Sequence, residues 1–130
     1  MISELQEKQC RELLTTTTVG RIGFVADERV HIFPVNYAVS GDDILVHTSS
    51  DGILRRVGDE DSIAAFEIDF HDDLAGVGWS VLMHGRISTV SGEDGAAITG
   101  HQPWAGNERV LPLRFHIESI SGRRVRRDRN

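Results

Sequence analysis

Cysteine and lysine are almost absent from this chain: Cys10 and Lys8 are the only ones in 130 residues. A lone cysteine excludes an internal disulfide and a zinc site built on paired thiolates. A lone lysine, in a predicted helix, leaves Schiff-base chemistry with a single candidate. No apolar run approaches the roughly 20 residues of a membrane span. Met1–Leu5 has neither the basic flank nor the apolar stretch of a signal peptide, so a cytoplasmic protein with no membrane partner is expected. The 13 glycines are scattered, without a Walker or dinucleotide fingerprint. There is no Gly-x-Ser-x-Gly elbow for a hydrolase. The six histidines include no i, i+4 pair, and His71-Asp72-Asp73 after Asp69 reads as an acidic loop between strands, with no metal expected there.

A chain of 130 residues, 39% hydrophobic, is long enough for one core and too short for two, so residues 1–130 are read as a single domain. Charge is uneven along it. The last eight residues hold five arginines and one aspartate, leaving residues 1–122 with nine basic and nineteen acidic side chains, a net of −10. An acidic body is the reverse of a nucleic-acid footprint, so no nucleic-acid partner is expected. The Arg-rich stretch from Arg123 to the end is read as a solvated tail.

The hydrophobic period changes along the chain. Ser3–Leu14 predicts an amphipathic helix with Ser3 and Gln6 as a capping box and Cys10 on its buried face. Val19–Ala26 predicts a strand, followed by a turn at Asp27–Arg29. Val30–Val39 and Ile44–Ser50 predict a hairpin closed by Gly41-Asp42. A short helix at Ile53–Val57 and a strand at Ser62–Asp69 follow, then a polar loop at Phe70–Gly76. Val77–Val90 reads as the longest strand, with Val81, Met83 and Ile87 on one face and Ser80, His84 and Arg86 on the other. Ser91–Arg109 reads as loop, and Val110–Ile120 as a last strand. Six strands without a βαβ rhythm give a mainly β fold, a small antiparallel barrel with short helices. Gly20 and Gly23 point to close approaches in a curved sheet. Pro34 cannot donate to a ladder, which puts its amide side at an edge, at a bulge or facing a ligand.

The candidate chemistry is a phosphate site. The second hairpin arm delivers His47, Thr48, Ser49 and Ser50 to a helix start, with Arg55 and Arg56 one turn on. An ordinary turn and helix cap with a solvated arginine face fits the same residues equally well. Trp79 and Trp104 read first as packing aromatics.

Six blocks occur in order: Cys10-Arg11-Glu12-Leu13-Leu14, Val19–Phe24, Phe33–Tyr37, His47–Gly52, Gly78–Val81 and Gly122–Val125. Together they resemble the pyridoxamine 5'-phosphate oxidase-like family of flavin-binding split β-barrels, over residues 4 to 125. The resemblance implies an antiparallel split β-barrel that forms a homodimer, with FMN held at the subunit interface. It places the Pro34-Val35-Asn36-Tyr37 strand along the isoalloxazine ring and Thr48, Ser49 and Ser50 near the phosphate. It puts Trp79 and Trp104 at the interface, and Arg109 toward the substrate. One position departs: relatives carry a lysine after the glycine of the Thr-x-x-x-Gly turn, and here Ile53 stands there, so the phosphate cation falls to Arg55 or Arg56. FAD, a deazaflavin coenzyme and haem are the alternative ligands in the family. The function implied is a flavin-dependent oxidoreductase acting on a small electrophilic molecule. A flavin- or haem-binding protein without turnover, and a cofactor-free dimeric barrel, are the rival readings.

Overall fold

Two tight turns set the first half of the barrel. In the computed structural model, which describes residues 1–49, 52–90 and 110–127, Ala26 faces Arg29 across Asp27-Glu28, and Ser40 faces Asp43 across Gly41-Asp42. Asp27 and Glu28 both have positive φ, 54° and 62°, the backbone of a two-residue loop whose twist matches that of the strands it joins. These turns connect β2 (Val19–Ala26), β3 (Arg29–Ser40) and β4 (Asp43–Ser49). The remaining elements are β1 (Ile2–Leu5), α1 (Glu7–Leu13), α2 (Ile53–Asp59), β5 (Ser62–Asp72), β6 (Val77–Thr89) and β7 (Val110–Arg126).

All pairings are antiparallel, in the order β1-β7-β4-β3-β2-β5-β6. The sheet closes because β6 pairs back onto β7, giving a six-stranded ring with β1 added beside the end of β7. Alternate residues fill the ring: Ile22 and Phe24, Val35 and Tyr37, Ile44 and Val46, Phe66 and Ile68, Val81 and Met83, Leu113 and Phe115 are all buried. Gly20 lies against the Phe66 ring, where any Cβ would collide. That is the close approach its place in a strand suggested. At Gly122 a Cβ would come 2.7 Å from Cys10 Sγ, so α1 seats its buried cysteine directly on β7. α2 packs on β6, near Thr89. The helices thus cover opposite ends of the β6–β7 ladder.

Several elements differ from the sequence reading. The N-terminal helix begins after Gln6, not at Ser3. Ile2–Leu5 is a strand that pairs with Gly122–Val125, and Gln9 Oε1 accepts the Gln6 N–H at 2.9 Å in place of the expected Ser3–Gln6 box. The cross-strand pairing of Glu4 with Arg123 puts opposite charges side by side. The arginine stretch is not a loose tail through Arg127: its backbone continues β7, and the Arg127 N–H donates to Gly76 O at 2.7 Å. The side chains of Arg123, Arg124, Arg126 and Arg127 are exposed. β5 runs on to Asp72, which shortens the predicted loop. β7, at 17 residues, is longer than β6 at 13. It serves three neighbours in turn, β4, β6 and β1, and spans the ring with a register shift opposite His84/Gly85.

Candidate functional site

The ring is split beside Pro34. β3 pairs with β4 from Ser40 back to Asn36, opposite His47, and there the two strands part. Thr48 and Ser49 stay with β7, opposite Leu111 and Val110. Among the described residues, no strand covers the β4-side edge of residues 29–35 in β3. Rungs alternate along an antiparallel ladder. Counted from the Ala26–Arg29 rung that closes the hairpin, Val30, Ile32 and Pro34 turn their backbone polar groups to that open edge. Pro34 has no N–H to leave unsatisfied there. The result is a wedge between β3 and the end of β4, walled by backbone acceptors and donors. From the β4 side the chain proceeds to α2.

Side chains along this strand divide by face. Val35 and Tyr37 point into the core, 8% and 7% exposed, while Pro34 is exposed and Asn36 half-buried. Tyr37 donates its hydroxyl to Leu14 O at 2.6 Å, sets its ring edge-on to Phe66 at 5.2 Å, and gives its N–H to Thr18 O at 2.9 Å. Burial pushes its phenol up to about 12. Its contribution to the wedge is therefore to anchor the strand. His47 is half-buried on the rung opposite Asn36.

Residues 6–124 match the family described as pyridoxamine 5'-phosphate oxidase. The chain belongs to the pyridoxamine 5'-phosphate oxidase-like family. It is similar to the FAD-binding protein from Mycobacterium smegmatis, at 30% identity and a TM-score of 0.81, over 97% of this chain and 100% of that one. An FAD-binding protein from Mesorhizobium loti shares the fold at 21% identity and a TM-score of 0.81, over 98% of each chain. The FAD and haem binding protein from M. smegmatis shares it at 16% identity and a TM-score of 0.75, over 97% of this chain and 76% of that one. No curated protein matches the chain.

On this oxidase-like barrel, the residues singled out from the sequence are distributed as follows. Pro34, Val35, Asn36 and Tyr37 line or anchor the open strand, His47 sits at the point of divergence, and the Thr48 and Ser49 backbone forms the β4 side. Arg55 and Arg56 are exposed on α2. Arg56 Nη2 lies 2.7 Å from Asp27 Oδ2, and Arg55 Nε lies 3.9 Å from Asp59 Oδ2. The Asp27 hydrogen bond holds the Arg56 guanidinium above its ordinary value. An exposed pair of this kind is weak and exchangeable, so Arg56 keeps the capacity to turn to an incoming phosphate. Trp79 is on β6, three strands round the ring from β3, stacked on Phe70 with ring centroids 6.4 Å apart. Ser50, Trp104 and Arg109 lie outside the described residues.

Register also assembles two clusters that sequence reasoning missed. On the outer face, Arg21 Nη1 reaches Glu67 Oε1 at 3.0 Å and Asp69 Oδ2 at 3.1 Å. Burial and the neighbouring Asp69 raise the Glu67 carboxyl, while its hydrogen bond with Glu67, followed by Arg21, lowers that of Asp69. On β4 and β7, Asp43 receives His116 Nδ1 at 2.8 Å and faces Arg114 Nε at 3.4 Å. No local motif signals either cluster, because their members lie 46 and 73 residues apart. Among the described residues, no group of three acidic, histidine or cysteine side chains is placed to hold a metal, and no helix is long and apolar enough to cross a membrane.

Proposed function

We propose that this chain binds a flavin in the wedge between β3 and the end of β4, and works as a flavin-dependent oxidoreductase on a small electrophilic molecule. The observation that carries the reading is the uncovered β3 edge at Val30, Ile32 and Pro34. A heteroaromatic edge rich in donors and acceptors pairs with such a strand as another strand would, and Pro34 adds no N–H that would need a partner there. In this reading the Thr48 and Ser49 backbone and the guanidiniums of Arg55 and Arg56 take the phosphate, with Ile53 standing where relatives hold a lysine. When bound, the flavin supplies the hydride chemistry, and the protein supplies position and electrostatics. FMN and FAD both suit this arrangement. The neighbour at 30% identity, described as FAD-binding, favours the dinucleotide.

The working unit in this reading is a homodimer. Val25, Val30, Ile32 and Ile63 are 65%, 73%, 64% and 72% exposed on the outer face of β2, β3 and β5. They surround Gly23 and Ala65 by register and form an apolar area of the kind that marks a protein interface. Sedimentation of the wild type and of Ile32→Asp tests it, with the variant expected to shift toward monomer.

The decisive experiment is an absorbance spectrum of the purified protein, repeated after incubation with FMN, FAD, a deazaflavin or haem and removal of excess ligand. Retention of about one flavin per chain, weakened in Arg56→Ala, supports the reading. Loss of every chromophore at micromolar protein favours a barrel that acts through its dimer alone. A retained haem band in place of flavin moves the reading to a haem carrier.

A further inference from the structure

One end of the barrel carries arginines and bare apolar side chains together, on a chain that is acidic elsewhere. The β5–β6 tip begins beyond the Asp72–Val77 rung, Val77 lies opposite Arg126 on β7, and Val125 lies opposite Ile2 on β1. Leu74, at the apex of the tip, is 95% exposed, and Ile2 and Val125 are exposed side by side. Residues 1–5, 70–77 and 122–127 hold four arginines and three carboxylates, a net of +1 that leaves −7 on the rest of the chain. Among the described residues, the side chains of Arg123, Arg124 and Arg126 make no ion pair and no hydrogen bond. Asp72 is engaged within the tip, its Oδ1 accepting the N–H groups of Leu74 and Ala75 at 3.0 and 3.1 Å. Two further bonds fix the turn: the Gly76 N–H donates to Asp72 O at 2.8 Å, and Arg127 Nη2 donates to Asp73 O at 2.8 Å. Leu74 is therefore held out by a built turn, and presenting it to a partner costs little ordering entropy.

We infer that this end of the barrel docks on an anionic lipid bilayer, with Leu74 entering the headgroup layer and Arg123, Arg124 and Arg126 against lipid phosphates. Exposed apolar side chains beside uncompensated cations match a surface that is apolar within and anionic outside. Guanidiniums bond phosphate oxygens two at a time, and their stems lie along apolar surface. Arg123 on one face of β7 and Arg124 and Arg126 on the other flank the end, so the approach is end-on. A bilayer yields around a projecting leucine, whereas a folded partner needs a matching socket. Nucleic acid would use the arginines and leave Leu74 without a role. Each guanidinium near an anionic leaflet strengthens binding about fivefold, so three arginines and one leucine give reversible attachment. The lack of an apolar run of roughly 20 residues excludes a helix through the bilayer, not a tip resting on it. This end lies at the opposite end of β5 from Ile63, and the inference does not depend on a flavin in the β3 wedge.

The test is flotation of the purified protein with vesicles of phosphatidylcholine and phosphatidylserine, against vesicles of phosphatidylcholine alone. Binding to the anionic vesicles is expected at low salt, and its loss at about 1 M salt, where charges are screened beyond about 3 Å. Leu74→Asp should weaken binding about tenfold while leaving Tm and flavin retention unchanged, because the side chain packs on nothing. Leu74→Trp should bind more tightly, with indole emission shifting to the blue on vesicles. The double variant Arg123→Gln/Arg126→Gln should weaken binding about 25-fold, and Arg29→Gln, an exposed arginine in the β2–β3 turn, should leave it unchanged. No flotation with anionic vesicles at low salt overturns the inference. So does equal flotation with neutral vesicles, or flotation that Leu74→Asp does not weaken. Retention by a single-stranded RNA without flotation assigns the arginines to nucleic acid and overturns it too. Flavin retention is read on the same preparation, so the two proposals can fail separately.

Discussion

Tyr37 offers the sharpest test of how the open strand is held. Its hydroxyl donates to the carbonyl of Leu14, the C-cap residue of α1, and its ring packs on Phe66. Tyr37→Phe keeps the ring and removes the donor, so the Leu14 carbonyl loses its side-chain partner beside the core. A lost buried hydrogen bond of this type costs about 1–2 kcal/mol. For a chain of this length, about 4 °C of Tm accompanies each kcal/mol, so the melting temperature should fall by about 4–8 °C. The phenol adds a pH signature. Its value is raised from 10.0 to about 12, so the neutral form is favoured in the folded state. The stabilisation is fully present below the unfolded value near 10 and is lost as pH rises through about 12, with a ceiling of about 2–3 kcal/mol. Wild type should therefore lose stability between pH 10 and 12, and Tyr37→Phe should lack that component. Denaturant unfolding at pH 7.5, 10 and 11.5 measures both effects, with flavin retention measured alongside. Because the Tyr37 side chain faces the core, retention at 25 °C should match the wild type. An unchanged Tm with lost flavin would reverse the assignment and put the phenol in the ligand site.

Other expectations follow from the same geometry. Gly20→Ala forces a Cβ into the Phe66 ring and should destabilise by about 1–3 kcal/mol, read as a lower denaturant midpoint. Arg21→Ala removes the cation shared by Glu67 and Asp69, and carboxyl resonances followed through an acid titration should show both groups protonating at higher pH than in the wild type. Cys10 is fully buried and its thiol is raised by burial, so thiol reagents at pH 8 should label it only at the rate at which the protein opens. A labelling rate equal to that of a free thiol would show that α1 does not seal against Gly122.

The elements that local chemistry dictates were legible in the sequence. Gly41-Asp42 between β-branched runs determined the central hairpin, and the alternation of Val81, Met83 and Ile87 with Ser80, His84 and Arg86 determined the buried face of β6. Pro34 by itself put its amide side at an edge, at a bulge or facing a ligand, of which the register shows an uncovered edge, and the ordered blocks from Cys10 to Val125 carried the family. Tertiary structure decided the rest, because it depends on partners far along the chain. Ser3–Leu5 has helical signals, yet it is a strand because the end of β7 offers an edge to pair with and Gly122 leaves space for α1 above it. The arginines looked like a solvated tail because charge runs usually are, but β6 and β1 supply backbone partners on both sides. Which edge of β3 is left uncovered, which carboxylates share Arg21, and that Phe70, Trp79 and Arg124 stand in one row are matters of register. A strand's own sequence fixes which residues alternate, whereas only its neighbours fix what lies beside them.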